Sequence, residues 1–224
     1  MVYHCMQRHC LLCHCRLLDA TVFGLCRYCH QSLPFISHRC QQCSLPLPEN
    51  KYNCGRCLKY PPAFDQALCS LEYSGPVPTL IQKVKNHHDR AFNRLLGELL
   101  LDSIRSLPAI DMIIPVPMHW WRNLGSGHNH SHLPARLLAD QTGIPCQTNT
   151  LIKQRRTLPQ KGLTASKRRR NLRHAFAVKQ PVQDCSIAVV DDVITTTSTM
   201  NEVARTLKAA GASQVFGLAI ARAL

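Results

Sequence analysis

Cysteine pairs near the start of the chain are the residues whose spacing most clearly indicates chemistry. Residues 1–60 contain four Cys-x-x-Cys pairs, namely Cys10/Cys13, Cys26/Cys29, Cys40/Cys43 and Cys54/Cys57. Two intervening residues let both thiolates of a pair reach one metal ion from a single tight turn, and two such pairs complete a closed tetrahedral zinc site. The pattern therefore predicts two structural zinc ions, without an open coordination position for catalysis.

The intervals between the pairs favour sequential pairing. Twelve residues separate Cys13 from Cys26, and ten separate Cys43 from Cys54. Either interval fits one short zinc ribbon, although spacing also leaves interleaved pairing open. Because the segment has few large apolar side chains, we expect zinc binding to supply most of its folding free energy, about 10 kcal/mol per site.

A second candidate site lies near the end of the chain. Asp191 and Asp192 come directly after a predicted strand over residues 187–190, and a run of hydroxyl side chains then leads into a predicted helix: Thr195, Thr196, Thr197, Ser198 and Thr199. Adjacent carboxylates can accept hydrogen bonds from vicinal sugar hydroxyls, and a turn entering a helix offers N–H groups to a phosphate. The stretch predicts a ribose 5-phosphate site. The alternative is an ordinary helix cap, which explains Ser198 or Thr199 alone.

Positive charge is concentrated in one part of the chain. Lys and Arg number 27 against 13 Asp and Glu, and the formal net charge of +14 predicts attraction to nucleic acid or phosphorylated metabolites. Residues 153–173 hold nine basic residues and no acidic one. The candidates for contact with nucleic-acid phosphates are Arg155, Arg156, Lys167, Arg168, Arg169 and Arg170. The alternatives are a solvated mobile loop and contact with a pyrophosphate.

The elements that must position these residues indicate an α/β fold. Short apolar runs, typical of strands buried on both faces of a parallel sheet, occupy residues 112–117, 186–190 and 215–220. Helical periodicity occurs over residues 80–84, 92–104, 133–139 and 200–210. The alternation predicts an open parallel sheet, whose ligands bind beyond the carboxyl ends of the strands. Pro61 and Pro62 mark a boundary that divides the chain into domains 1–60 and 61–224.

The cysteine content also bears on the cellular compartment. Thirteen cysteines in an exported chain would indicate disulfides, but no charged start followed by an apolar segment and a cleavage site is present. No apolar run approaches the roughly 18 residues that span a bilayer. The sequence predicts a soluble cytoplasmic protein with reduced cysteines and no membrane insertion.

In their order along the chain, these motifs resemble the ComF/GntX family, in which a double zinc ribbon precedes a type I phosphoribosyltransferase domain. The resemblance rests on the cysteine pairs, on residues 80–85, 113–117 and 160–176, and on a signature for phosphoribosyl pyrophosphate (PRPP) at 191–199. It implies that Asp191 and Asp192 hold the ribose of PRPP and that Thr195 to Thr199 hold its 5-phosphate. Lys85 and the turn after Pro117 would lie near the pyrophosphate with its Mg2+, and residues 155–171 would form a mobile hood.

The resemblance also implies a function in natural transformation, with single-stranded DNA and DNA-uptake proteins as partners besides PRPP or a similar phosphorylated ligand. The chain departs from the family pattern at two places. Thr197 stands where members usually have glycine, which tolerates a positive φ, and residues 126–130 lack the usual arginine and aromatic. Both departures favour a PRPP-binding protein, and the alternative is an active phosphoribosyltransferase of nucleotide or related metabolism.

Overall fold

The computed structural model describes residues 9–17, 24–87, 90–118, 131–155, 157 and 165–224. The helices and strands in these ranges are, in chain order, α1 Arg27–Gln31, α2 Gly55–Lys59, β1 Gln66–Glu72, α3 Val77–His87, α4 Arg90–Arg105, β2 Met112–Pro115, α5 His132–Thr142, β3 Leu151–Lys153, α6 Ala165–Leu172, β4 Phe176–Val178, β5 Ser186–Ile194, α7 Ser198–Ala209 and β6 Gln214–Arg222. The predicted fold class, α/β with a parallel sheet behind two four-cysteine clusters, is confirmed.

Four parallel strands form the main sheet, in the order β1-β6-β5-β2. The strands β3 and β4 pair separately as an antiparallel hairpin. Residues 186–190 of β5 and 215–222 of β6 are all buried, as expected of central strands covered on both faces. Because the strands are parallel, the carboxyl ends of β2, β5 and β6 meet at one edge of the sheet, where open α/β sheets bind ligands.

Alternate residues of β5 divide the core into two layers. Ile187 and Val189 pack in one cluster with residues of α7 and of the β3–β4 hairpin, including Val203 and Phe176. Ala188 and Val190 pack in the other cluster with α3, α4 and α5. Successive side chains of a strand point to opposite faces, so the sheet is sandwiched between two helical layers.

One four-cysteine cluster packs on each face of the sheet. Cys40, Cys43, Cys54 and Cys57 belong to the hydrophobic cluster that contains Val189, and Cys10 belongs to the cluster that contains Val190. Backbone hydrogen bonds add to this packing, since Ala67 N donates to Gln42 O over 2.8 Å. Residues 1–60 remain a predicted domain, and the described part of them packs directly on the rest of the chain.

Several elements differ from the sequence-based expectation, which included neither the β3–β4 hairpin nor helix α6. The strand β5 continues to Ile194, four residues beyond the predicted end, because Val193 and Ile194 stay in register with Ala221 and Arg222 of β6. Asp191 and Asp192 therefore lie inside the last part of the strand rather than after it. Strand β1 was not predicted, since its apolar run is interrupted by Ser70. None of the described helices combines the length and apolar character that crossing a membrane requires.

Candidate functional site

The eight paired cysteines lie in two groups, and the sulfur atoms of each group are within 4.8 Å of one another. Cluster 1 contains Cys10, Cys13, Cys26 and Cys29, and cluster 2 contains Cys40, Cys43, Cys54 and Cys57. The distances Cys13 Sγ to Cys26 Sγ and Cys43 Sγ to Cys54 Sγ are both 3.7 Å. Tetrahedral zinc with Zn–S bonds of about 2.3 Å places its sulfurs about 3.8 Å apart. Each cluster could therefore hold one zinc ion.

The same local structure builds both clusters. The first pair of each lies in a turn closed by a backbone hydrogen bond of 2.8 Å, from Cys10 N to Cys15 O and from Cys40 N to Leu45 O. The second pair begins a short helix, because Cys26 is the N-cap of α1 and Cys54 is the N-cap of α2. In both helices the N-cap sulfur accepts a hydrogen bond from the N–H three residues on.

Electrostatics within each cluster also favour a cation. Backbone and side-chain hydrogen bonds from Cys15 lower the pKa of Cys13 to about 6. Burial raises the pKa of Cys40, but hydrogen bonds from backbone N–H groups, chiefly that of Cys54, outweigh it and bring the pKa to about 7. Burial, followed by the neighbouring sulfurs, raises the pKa of Cys29 and of Cys57. Four closely spaced thiols do not all lose their protons in the absence of a cation, because the thiolate charges repel one another. A bound cation offsets this repulsion.

The two clusters differ in exposure. All four cysteines of cluster 2 are buried, with at most 5% of each residue exposed. In cluster 1 only Cys10 is buried, and Cys13 is exposed to solvent. A chelator therefore has access to cluster 1 that it lacks at cluster 2.

The predicted phosphate loop joins the end of β5 to the start of α7. Within β5, Asp191 Oδ1 accepts a hydrogen bond from Asp192 N over 2.9 Å, and Asp192 Oδ1 accepts one from Val193 N over 2.7 Å. Both carboxyl side chains are thus held against their own strand, near the carboxyl end of the sheet. Thr196 Oγ1 and Ser198 Oγ lie 2.9 Å apart, so the hydroxyl side chains of the loop also contact each other.

Thr197 has the left-handed backbone that glycine adopts most easily. Its φ is 59° and its ψ is 1°, at the N-cap of α7. Its hydroxyl donates to Thr196 O over 2.6 Å and accepts from Asn201 Nδ2 over 3.1 Å. The left-handed region costs a β-branched residue about 1–3 kcal/mol. The loop keeps its turn despite the threonine, and the threonine hydroxyl is directed into the loop and α7.

We expect Thr197→Gly to be more stable than Thr197→Ala by about 1–2 kcal/mol. Both variants remove the hydroxyl that bonds Asn201, but only alanine keeps the Cβ that disfavours a positive φ. Urea unfolding of the zinc-loaded protein measures the difference. A glycine variant that is less stable than the alanine variant would contradict the strain described here.

Arg222, at the end of β6, is a site residue that the sequence analysis missed. Only 3% of the residue is exposed. Its Nε donates to Cys43 O over 2.9 Å, and its Nη1 donates to Ile194 O over 3.0 Å and also to Thr195 O and Ala223 O. One buried guanidinium thus joins cluster 2 to the start of the phosphate loop. The signal in the sequence was a charged residue ending an otherwise apolar strand.

Asn201 makes a second connection between the loop and the N-terminal part of the chain. Its Oδ1 accepts a hydrogen bond from Ala63 N over 2.7 Å, while its Nδ2 contacts Thr197. The segment that follows cluster 2 is therefore bonded to the helix that carries the phosphate loop. Asn201 and Arg222 together connect the predicted phosphate loop to cluster 2 and to the segment that follows it.

The remaining predicted site residues lie elsewhere. Lys85 belongs to α3, and Lys167 and Arg170 are exposed on α6, which also includes Arg168 and Arg169. Arg155 caps the end of α6, because its Nη2 donates to Asn171 O over 2.7 Å and to Arg173 O over 2.8 Å. Arg156, the turn at 119–130 and residues 158–164 of the predicted hood lie outside the described residues.

Comparison with known proteins finds relatives over almost the whole chain. The chain is 34% identical over 218 residues to competence protein F of Haemophilus influenzae, covering 92% of this chain and 95% of that protein. It is 33% identical over 208 residues to the DNA utilization protein YhgH of Salmonella typhi, covering 90% and 92% of the two chains. YhgH of Shigella flexneri is 32% identical over 199 residues, covering 86% and 88%. No protein-family model matches.

Among solved structures, the allosteric regulatory enzyme of purine biosynthesis overlaps with a TM-score of 0.38 at 23% identity, over 55% of this chain and 24% of that chain.

Proposed function

The chain belongs to the family of competence protein F and the DNA utilization protein YhgH, and from that premise we propose that it binds PRPP and single-stranded DNA during the uptake or use of DNA. One observation carries the PRPP part of the proposal. The loop after β5 keeps a left-handed turn at Thr197, directly before the N-terminus of the 12-residue helix α7. A helix N-terminus and its N–H groups attract phosphate.

In this proposal, each part of PRPP meets residues of matching chemistry. The 5-phosphate lies at the positive end of α7, on the N–H groups of Thr195, Thr196, Thr197, Ser198 and Thr199. The hydroxyls of these residues also contact it, except that of Thr197, which bonds Thr196 O and Asn201. The ribose hydroxyls donate to the carboxylates of Asp191 and Asp192. Mg2+ binds with the pyrophosphate and neutralises part of its charge, on the side of the site where Lys85 is proposed to lie. Zinc occupies clusters 1 and 2 and has a structural role.

The proposal of DNA binding is supported by charge. The chain has a formal net charge of +14, and Lys167 and Arg170 are exposed on α6. Arg155, Arg156, Arg168 and Arg169 complete the proposed contact tract. A polyanion binds such a tract chiefly through its phosphates, so we expect the affinity to fall steeply as salt is added.

An active phosphoribosyltransferase is the second candidate function, and the left-handed turn at Thr197 before α7 supports it. We favour binding without turnover, since Thr197 makes that conformation costly and its hydroxyl is engaged by Thr196 and Asn201. Release of pyrophosphate from PRPP separates the two candidates. Release above the rate without protein, with any nucleobase or amine as acceptor, would establish the transferase.

We expect Asp191→Asn and Asp192→Asn each to weaken PRPP binding by about tenfold or more, because a ribose hydroxyl would lose a charged acceptor. The two side chains are adjacent in a strand and leave it in different directions, so the single variants distinguish their contributions. Calorimetry with PRPP and Mg2+ measures the effect.

The matched control is Asp102→Asn, which removes a carboxylate from α4 in the opposite layer. Its affinity for PRPP should equal that of the natural sequence. Unchanged binding in both β5 variants would place the ligand elsewhere.

A further inference from the structure

A cavity separate from the phosphate loop lies between α6, α7 and the β3–β4 hairpin. Its volume is about 780 Å3, within the range of about 300–1,000 Å3 that is usual for ligand sites. Arg170 from α6 and Arg173 just after that helix form one side, and Glu202, Arg205 and Thr206 of α7 form the other. Arg205 is eight residues along α7 from Thr197, so the two sites are separated by about 12 Å along the helix axis.

The charge of the cavity is positive. The described lining contains three arginines and one glutamate, and the carboxylate of Glu202 is already engaged. Glu202 Oε1 accepts a hydrogen bond from His174 N over 2.6 Å, and Glu202 Oε2 lies 3.5 Å from Arg205 Nη1. Among the described residues, neither Arg170 nor Arg173 lies within ion-pair distance of a carboxylate. The cavity therefore presents an excess of guanidinium groups toward solvent.

The backbone around the cavity is held in place. His174 has a φ of 54°, and this left-handed turn after α6 directs its N–H to Glu202. The amide of Gln154 donates to His174 O over 3.3 Å and to Phe176 O over 3.4 Å. Phe176 is almost fully buried, so the cavity offers little aromatic surface for stacking on a base. Its chemistry is that of a preformed site for anions.

We propose that this cavity binds the phosphate groups of single-stranded DNA, with Arg170, Arg173 and Arg205 as the contacting residues. This inference rests on the proposed function and names the place on the chain where the strand lies. Guanidinium groups bind phosphate through paired N–H donors, and this cavity gathers three of them, from α6, from the turn after it and from α7. The helix α7 then carries the PRPP loop at one end and a contact to DNA in its second half.

The test measures binding of a fluorescent oligothymidylate of about 20 nucleotides to the full zinc-loaded chain by anisotropy at several salt concentrations. We expect Arg173→Gln and Arg205→Gln each to weaken binding about fivefold, and to reduce the salt slope by about 0.7 for each phosphate that is no longer neutralised. Glu202→Gln, which removes the only carboxylate of the described lining, should strengthen binding. Circular dichroism verifies that each variant is folded.

The matched control is Arg105→Gln, which removes one exposed charge at the end of α4, in the opposite layer of the sheet. If Arg173→Gln and Arg205→Gln change the affinity no more than this control does, the strand does not pass through the cavity. The nucleotide dTMP serves as a competitor. If it displaces the oligonucleotide when the two are present at equal concentrations of phosphate groups, the cavity is a mononucleotide site and the proposal is overturned. Failure of the natural sequence to bind the oligonucleotide at all would instead refute the proposed DNA binding.

Discussion

Cys43→Ser is expected to lose one zinc ion and with it the cooperative unfolding transition of the whole chain. Cluster 2 is buried within the same hydrophobic core as Val189 and Val203, and its four sulfurs would face each other without a cation. Structural zinc contributes about 10–16 kcal/mol, whereas whole domains are stable by only about 5–15 kcal/mol. Elemental analysis and thermal unfolding followed by circular dichroism measure the two losses.

Cys13→Ser is the matched variant for cluster 1. Cys13 is exposed, so a serine there should also cost one zinc ion but leave the transition of the sheet in place, at a lower midpoint. In the natural sequence, a chelator should accordingly release one zinc at least about tenfold faster than the other, because metal release requires solvent access. Equal release rates, or a retained transition in Cys43→Ser, would contradict the unequal roles of the clusters.

Arg222→Met is expected to lower the free energy of unfolding by about 3–5 kcal/mol. Methionine fills a similar volume but donates no hydrogen bond, so the carbonyl groups of Cys43, Thr195 and Ala223 lose the guanidinium donor, whereas that of Ile194 keeps the N–H of Ala223 at 3.0 Å. Each buried carbonyl that loses its partner costs about 1–3 kcal/mol, partly offset because the buried charge is removed as well. Urea unfolding with zinc present measures the change.

Arg222→Lys serves as the control for charge alone. Lysine keeps the positive charge but lacks the planar fork that reaches carbonyls in several directions, so we expect it to restore less than half of the loss. The folded fraction of either variant should also bind PRPP more weakly, since Thr195 at the start of the predicted phosphate loop would lose its bond to the guanidinium. A methionine variant within about 1 kcal/mol of the natural sequence would show that the carbonyls find other partners.

The features that sequence reasoning predicted are those with a local cause. Cysteine pairs with two intervening residues dictate their own turn, and apolar runs such as 186–190 dictate a buried strand. The glycine-like backbone of Thr197 agrees with the resemblance to a family that has glycine there. These features depend on neighbours within a few residues, so they can be predicted from short stretches of the sequence.

The features that were missed depend on residues far apart in the chain. Arg222 bonds the carbonyl of Cys43, which is 179 residues away in the chain, and the sequence next to Arg222 does not indicate that partner. The arginine cavity combines the end of α6 with the second half of α7, and Arg205 lies outside the basic tract that drew attention to residues 153–173. The apolar run of strand β1 is interrupted by Ser70, and the strand acquires its role by pairing with β6. Such assignments require the tertiary contacts.

The position of β6 in the sheet has a consequence for how the protein is made. This strand follows both β1 and β5 in sequence, yet it lies between them in the sheet and its Arg222 bonds the carbonyl of Cys43 in cluster 2. A growing polypeptide on the ribosome therefore cannot assemble its sheet, or complete the packing of cluster 2, until residues 214–222 have emerged. Until then β1 and β5 have unpaired edges, which are sites of aggregation. The yield of folded protein thus depends on protecting the nascent chain from aggregation until β6 has been synthesised. Metal that binds the cysteines earlier does not shorten this interval.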